Sequence, residues 1–380
     1  MSLTAEQFRA HFPIFAEKAH LCSCSEGALS DRVIAAMSEF MTSWRVHGAP
    51  WHAWMEEVDR AREWFVRLIH ASPADVAVVS CASEAAYHVA STLDLGRRRR
   101  IVTTEVEFPS VAHVWLGQQA RGAEVEFVPA RGPRVEAEDY LARIDDGTAL
   151  VSVPLVAYGN GMRLPVREVV QAARDSGAQV FVDAYQGLGV VPVDVQELSC
   201  DFLACGTLKY LLGAPGLAFL YVRPGLDFDT APPLTGWFAR KDPFAFDPRL
   251  LDYAEGARRF QTGTPAIPAA FAGAAGLGLL LETEPADTLE HVLSLGDFLQ
   301  DALLEEGVAL SSPTERGRRG PQVAVLAQDA ADLGDFLSAR GALVAPRGRA
   351  IRISLHYYNH LSDVRRVLDG VLAYRRLKPL

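Results

Sequence analysis

Asp183 and Lys209 could act together on a bound cofactor, because each comes at the end of a predicted core strand. Asp183 ends the apolar strand at 180–183, and Lys209 follows the next strand, at 201–205. Open α/β sheets collect ligand-binding groups at the carboxyl ends of their strands. A lysine desolvated by apolar neighbours has a lowered pKa, which frees its amine to form a Schiff base. Either residue alone would be better explained as a turn cap or a strand-end lysine, but the pair predicts Schiff-base chemistry.

The scarcity of lysine supports this assignment. Of the four lysines, Lys18, Lys209, Lys241 and Lys378, only Lys209 follows a core strand and leads into a glycine-containing turn. A buried carboxylate such as that of Asp183 would keep a pyridine nitrogen protonated and so make the ring of pyridoxal phosphate (PLP) an electron sink. We therefore expect PLP as the cofactor, bound as an imine to Lys209.

The elements that position these residues alternate between short apolar strands and helices. Seven strands are predicted at 77–80, 101–104, 125–128, 150–156, 180–183, 201–205 and 217–222. Helical spacing of apolar residues covers 31–46, 52–70 and 166–176. Nearly continuous apolar strands separated by helices indicate an α/β fold with a mainly parallel, mixed seven-stranded sheet covered on both faces. The strand at 217–222 follows its neighbour after a compact turn, so it can run antiparallel.

The pattern changes after about residue 255. Helical stretches at 266–282 and 286–306 precede short strands at 322–327, 342–346 and 350–355 and a last helix at 361–375. This order predicts a smaller C-terminal α+β domain over 256–380, after a large cofactor-binding domain over 21–255. Residues 1–20 begin with a capping box and are expected to pack beside the small domain.

Composition and charge argue against several classes of function. The 380 residues carry a net charge of −10, which argues against nucleic-acid binding. The start of the chain lacks a signal-peptide pattern, and the longest apolar run, at 271–281, is too short to span a membrane. Five cysteines without a metal-type CxxC pair fit reduced thiols in a cytoplasmic protein. No metal site is expected, since the pair His356 and His360 has no acidic or cysteine ligand in its motif.

The segment from Asp183 to Val222 resembles the class V aminotransferase family of PLP enzymes, which includes cysteine desulfurases, kynureninases and isopenicillin N epimerase-like enzymes. The family pattern is Asp-x-x-Gln at one strand end and, further along, a lysine before a glycine-rich turn; here it reads DAYQ and LKYLLGAPGLAFLYV. The resemblance implies the PLP-dependent transferase fold type I. It also implies that Asp183 pairs with the pyridinium nitrogen, that Gln186 hydrogen-bonds the ring oxygen and that Lys209 carries the imine.

Further segments extend the resemblance to the phosphate and the ring of the cofactor. VVSCASEAA is similar to the family's phosphate loop, so Ala82 and Ser83 are expected to bind the phosphate, as a helix start does for anions. TTEVEFPSV resembles the segment whose aromatic residue, here Phe108, stacks on the ring; a core phenylalanine is the alternative. RFQTGTPAIP is similar to the loop that reaches the phosphate in the partner subunit, through Thr264. That role implies a homodimer with shared active sites.

Substrate-binding residues are implied in the same way. IRISLHYYNH resembles the family's Arg-x-Ser motif, in which Arg352 would bind the substrate α-carboxylate through its planar fork; a surface arginine is the alternative. CSCSEGALS, which contains Ser25, matches the place where relatives line the substrate pocket, and Tyr158 stands where desulfurases have a ring-contacting asparagine. Trp44 and Trp51 resemble a kynureninase-like stretch and could line the pocket or pack on the first helices.

Departures from the family pattern leave the reaction open. Desulfurases carry a catalytic cysteine in the C-terminal third, whereas this chain has none after Cys205. Thr207 stands within the family's Ser-x-His stretch before the lysine and is expected to supply a phosphate contact in its place. Kynureninases have an asparagine where Thr264 stands. We expect an aminotransferase that acts on an amino acid. The alternatives are kynureninase-like cleavage, C–S α,β-elimination, epimerisation and a catalytically silent binding protein.

Overall fold

The computed structural model describes residues 2–226 and 231–380. Its β-strands are β1 Ala19–His20, β2 Val76–Val79, β3 Arg100–Thr104, β4 Glu124–Val128, β5 Thr148–Pro154, β6 Gln179–Asp183, β7 Phe202–Gly206, β8 Ala218–Val222, β9 Gln322–Leu326, β10 Ala342–Leu343, β11 Ala345–Arg347 and β12 Ala350–Ser354. Its α-helices are α1 Ala5–Arg9, α2 Asp31–His47, α3 Trp51–Ile69, α4 Ala82–Thr92, α5 Pro109–Gly117, α6 Ala137–Leu141, α7 Val166–Ser176, α8 Val195–Leu198, α9 Ile267–Leu280, α10 Pro285–Glu305, α11 Ala330–Ser338 and α12 Leu361–Arg375.

A seven-stranded sheet forms the centre of the larger part of the molecule. Its strand order is β2-β8-β7-β6-β5-β3-β4. Four neighbouring pairs are parallel, and β8 runs antiparallel to both β2 and β7. The predicted mainly parallel, mixed sheet is therefore confirmed, including the antiparallel strand at 217–222.

Each strand of this sheet supplies side chains to two separate cores, because successive residues face opposite sides. In β6, Val180 and Val182 join the core covered by α3, α7 and α9, whereas Phe181 joins the core beneath α4 and α5. In β5, Val151 joins the first of these cores and Leu150 joins the second. Burial on both faces explains why the strands are almost continuously apolar in sequence.

A second, smaller sheet lies in the C-terminal part of the chain. Strands β11, β12 and β9 pair antiparallel beside α10, α11 and α12, and β1 pairs in parallel with β10. The sequence predicted one strand over 342–346, but the structure has two, because the chain leaves β1 and takes β12 as its partner after Val344. Helix α9 packs on α2 and α3 in the core of the large sheet. The domain division at residue 255 stays a prediction.

In the described parts of the chain, no helix is both long enough and apolar enough to cross a lipid bilayer.

Candidate active site

Lys209 lies in the loop between β7 and β8, with its amine between two aromatic rings. Its Nζ is 4.3 Å from the ring centroid of Tyr185 and 5.1 Å from that of Phe108. Among the described residues, no carboxylate lies within 4.0 Å of this amine and no hydrogen bond is made by it. Burial lowers the pKa of Lys209, and the nearby charge of Asp183 opposes that shift. The site therefore holds an amine that loses its proton more readily than an exposed lysine does.

Asp183 is the last residue of β6 and is only 5% exposed. Its Oδ1 accepts a hydrogen bond from the backbone N–H of Tyr185 at 2.9 Å, and no described residue donates to its other oxygen. Burial raises the pKa of this carboxyl, while Lys209 favours its charged form. A ligand N–H would find a free carboxylate oxygen here.

Glu107 is a second buried carboxyl near Asp183, and sequence reasoning did not identify it. Its Oε1 accepts from the backbone N–H of Phe108 at 2.9 Å, and its Oε2 accepts from the hydroxyl of Ser152 in β5 at 3.0 Å. Burial and the charge of Asp183 raise the pKa of Glu107 well above its usual range. These two contacts tie the turn that carries Phe108 to the central sheet.

Gln186 lies in the turn after β6, three residues beyond Asp183, and its side chain is buried. Its Nε2 donates to the carbonyl of Cys24 at 3.1 Å, while its buried Oε1 has no hydrogen-bond partner among the described residues. A buried polar atom without a partner is costly unless a ligand or water supplies one.

The first turn of α4 presents the predicted phosphate residues Ala82 and Ser83. No side chain caps this helix, so its first N–H groups have no acceptor within the helix. The carboxylate of Glu84 turns back to accept from the backbone N–H of Ser80 and from the hydroxyl of Thr262, at 2.7 and 3.1 Å. The helix start is therefore available to an anion.

Thr207 and Thr264 differ from Ala82 and Ser83 in their surroundings. The buried Thr207 hydroxyl donates to the carbonyl of Ala214 at 2.7 Å, so its hydrogen is used within its own turn. Thr264 is exposed and makes no hydrogen bond to the described residues of its own chain. The phosphate contacts of both residues stay predictions.

Arg352 in β12 is 1% exposed and brings three predicted substrate residues together. Its Nη1 donates to the carbonyl of Tyr158 at 3.1 Å, its Nη2 to the hydroxyl of Ser25 at 3.0 Å and its Nε to the carbonyl of Ala345 at 3.4 Å. In the described ranges, no carboxylate oxygen lies within 4.0 Å of this guanidinium. A buried cation with only neutral partners is poised for a ligand carboxylate.

The aromatic residues divide into a site group and a surface group. The ring of Tyr158 meets that of Phe108 edge-on, with centroids 5.2 Å apart. Trp44 and Trp51 instead lie largely at the surface, where they contact Phe40 and Trp54 respectively. Sequence reasoning overlooked Tyr185, although it lies within the DAYQ motif; its position beside a strand-end carboxylate was the available signal.

Comparison with known proteins agrees with this geometry. The profile of the class-V aminotransferases matches residues 27–367. The chain is 36% identical over 369 residues to the uncharacterized aminotransferase YcbU of Bacillus subtilis, covering 97% of both proteins. It is 30% identical over 331 residues to a kynureninase of Deinococcus radiodurans, covering 83% of this chain and 79% of that protein.

Two solved structures share the fold. A cysteine desulfurase from Thermococcus onnurineus NA1, in its apo form, superposes with a TM-score of 0.89 at 24% identity and full coverage of both chains. A mutant of C-DES, with glycine covalently linked to its PLP cofactor, superposes with a TM-score of 0.86 at 19% identity, covering 95% of this chain and 98% of C-DES. Together with the profile match, these findings show that the chain belongs to the class V aminotransferase family of PLP-dependent enzymes.

Proposed function

We propose that this chain binds PLP covalently through Lys209 and converts an amino acid, most simply by transamination. The observation that carries the proposal is the desolvated amine of Lys209, held between Phe108 and Tyr185 with Asp183 at the neighbouring strand end. The 36% identity to YcbU, which is named an uncharacterized aminotransferase, compared with 30% to a kynureninase, favours transamination.

The residues of the site fit PLP. The free oxygen of Asp183 suits the pyridinium N–H, the partnerless Oε1 of Gln186 suits a polar group at the ring, and the uncapped start of α4 suits the phosphate through Ala82 and Ser83. PLP, when bound, supplies an electron sink for charge that develops at the substrate's α-carbon.

Lys209, its two aromatic neighbours and Asp183 have separate roles in the proposed reaction. Burial lowers the pKa of Lys209, so Nζ loses its proton more readily, can act as a nucleophile and can later accept the substrate's α-proton. Phe108 and Tyr185 border the amine and contribute to its desolvation. With PLP bound, the free carboxylate oxygen of Asp183 would accept a hydrogen bond from the ring N–H and so favour the protonated ring nitrogen.

The surroundings of Arg352 indicate a substrate that carries a carboxylate. Its guanidinium is buried with three neutral acceptors, so an α-carboxylate would complete its charge balance. Ser25 and Tyr158 are the groups that orient the fork toward that carboxylate.

Borohydride trapping tests the covalent role of Lys209. Reduction should attach PLP irreversibly to the peptide that contains Lys209, and the visible absorbance of the protein should shift accordingly. Lys209→Ala should abolish this labelling, whereas Lys241→Ala, which changes an exposed lysine, should leave it unchanged. Labelling that persists in Lys209→Ala would refute the proposal, and failure to bind PLP would favour a catalytically silent binding protein.

Product analysis separates the reactions that share this site. Mixing the PLP-loaded protein with candidate amino acids should give pyridoxamine phosphate and a keto acid if it transaminates. Release of alanine or pyruvate without pyridoxamine phosphate would instead favour kynureninase-like cleavage or C–S elimination. Loss of optical purity with no new product would favour epimerisation.

We also propose that the protein works as a homodimer with shared sites. It has an aromatic patch, in which the half-buried Trp237 lies among four exposed residues: Trp44, Trp51, Phe244 and Phe246. Exposed apolar patches of this kind are typical of interaction surfaces. The patch adjoins the loop of Thr264, because the backbone N–H of Phe238 donates to the carbonyl of Thr262 at 3.2 Å. A second copy on this patch would bring its own Thr264 toward the neighbouring site.

Complementation between inactive variants tests sharing. Mixed dimers of Lys209→Ala with Thr264→Ala would contain one site with an intact Lys209 and an intact Thr264, so mixing should restore activity beyond that of either variant. A protein that sediments as a monomer would contradict the dimer. A dimer without complementation would contradict only the role of Thr264.

The five unpaired cysteines fit a reducing compartment, and we propose that the protein is cytoplasmic.

A further inference from the structure

A cavity of about 350 Å³ lies between the start of α7 and the loop that precedes β9. Three guanidinium groups contribute to its wall, those of Arg163, Arg167 and Arg318. Neither Lys209 nor Arg352 is among its lining residues, so the cavity is distinct from the candidate active site.

Among the described arginines that line the cavity, Arg163 is the one without a carboxylate partner. Its half-buried side chain makes no hydrogen bond to the described residues and has no described carboxylate within 4.0 Å. The other two arginines form ion pairs: Arg167 with Glu197 at 2.9 Å and Arg318 with Glu136 at 2.5 Å. Burial lowers the pKa of Arg163, and no neighbouring charge offsets that cost.

The acidic groups of the wall do not satisfy Arg163. Asp194 pairs with His70 at 2.7 Å and accepts from the first backbone N–H groups of α8, so its charge is already engaged. Glu168 is exposed in the first turn of α7. In the described parts of the chain, Arg163 is thus left without a carboxylate partner, and a ligand carboxylate could supply one.

The rest of the wall is apolar. Buried side chains cover this side of the cavity: Leu155, Leu164, Val191 and Val193. A molecule with a hydrocarbon body would pack against these side chains, a contact that a bare inorganic anion cannot make.

We propose that this cavity binds a small organic carboxylate with an apolar body, whose carboxylate pairs with the fork of Arg163. A guanidinium can donate two parallel hydrogen bonds to a carboxylate, which gives orientation as well as affinity. The cavity is within the size range of small-molecule sites. This site does not depend on the chemistry proposed for Lys209.

Ligand-observed NMR with benzoate tests the proposal. Because benzoate would also bind a carboxylate site at Arg352, the PLP-loaded Arg352→Ala protein is the reference. It should bind benzoate, and adding Arg163→Ala should weaken that binding at least about tenfold. Arg163→Met, which keeps the apolar stem, should behave like Arg163→Ala and covers the case in which the alanine variant unfolds.

Two controls make the result specific. Arg167→Ala alters an arginine of the same wall that is already paired, so it should weaken benzoate binding less than about threefold. Neutral benzamide should not bind. The proposal is overturned if Arg352→Ala alone abolishes benzoate binding, if both Arg163 variants bind as the reference does, or if benzamide binds equally well. Borohydride labelling at Lys209, measured in the same Arg163 variants, should be unchanged and reports separately on the proposed function.

Discussion

Replacing Gly27 with alanine should displace Lys209, the proposed catalytic lysine, although Gly27 itself has no side chain that could take part in the reaction. The backbone N–H of Gly27 donates to the carbonyl of Leu208 at 2.9 Å, which brings the segment 22–28 against the Lys209 loop. An added Cβ at position 27 would meet the carbonyl oxygen of Lys209 closer than 3.0 Å, a distance that Cβ atoms essentially never show. It would also meet a side-chain carbon of Leu212 at 3.0 Å. The two segments must therefore separate.

The size of the effect follows from this overlap. Overpacking against backbone typically costs about 1–3 kcal/mol, which in a chain of 380 residues lowers Tm by roughly 1–4 °C. A displacement of roughly 0.5 Å reaches the tolerance of a catalytic site, so kcat/KM should fall at least about tenfold. Gly159→Ala is the matched control, because nothing lies within 4 Å of its Cβ.

Calorimetry and steady-state kinetics measure the two effects together. Borohydride labelling of Lys209 in Gly27→Ala should also be slower than in Gly159→Ala. If Gly27→Ala matches Gly159→Ala in Tm, kinetics and labelling, the close approach of these segments does not position Lys209 and the reasoning is wrong.

Three further predictions concern charge. Arg352→Met should lower kcat/KM for an amino acid by about 100-fold or more, since each charge-assisted hydrogen bond contributes about 1.5–3 kcal/mol; an equal loss with the substrate's neutral amide would contradict its carboxylate role. Burial raises the pKa of Glu107 to about 8, so ionising this carboxyl costs more in the folded chain than in the unfolded one, and stability is lost as pH rises from about 4.5 to about 8. Glu107→Gln should therefore lose less stability between pH 5 and 8 in urea titrations, and parallel pH profiles would count against this. Burial lowers the pKa of His20 and His356 to about 4, so their contribution is present above pH 6.5 and is lost as pH falls toward 4. Between pH 7 and 5, the His356→Gln variant should lose about 2 kcal/mol less unfolding free energy than the unmodified protein does, as measured by urea titration. An equal loss in both proteins would mean that His356 is already protonated in the folded protein at pH 7.

Many of the strands could be predicted from local sequence patterns. The strands containing Asp183 and leading to Lys209 were predicted within a residue or two, because burial on both faces leaves continuous apolar runs that need no knowledge of the partners. The antiparallel strand β8 was expected for a similar reason, since its short connection cannot hold a crossover helix. The split at Val344 was missed because an apolar run does not reveal a change of partner.

The roles of individual polar residues were harder to predict. The hydroxyl of Thr207 donates to the carbonyl of Ala214, a contact that the sequence did not reveal, and its phosphate contact stays a prediction. Glu107 lay within a segment already singled out, yet its burial depends on Ser152 in another strand. Such outcomes depend on which groups are desolvated together, and sequence neighbours do not fix that.

The sequence by itself determined the order of strands and helices along the chain, and the apolar setting of its one core lysine, because strand burial and strand-end position are local properties. Only the tertiary structure decided that Arg352 contacts Ser25 and Tyr158, and that no carboxylate of the described residues pairs with Arg352. These residues are far apart in the chain, and their contact arises where the N-terminal segment, the large sheet and β12 converge. Tertiary packing decides which groups lie beside a buried charge, and those groups decide whether the charge is paired or left to pair with a ligand.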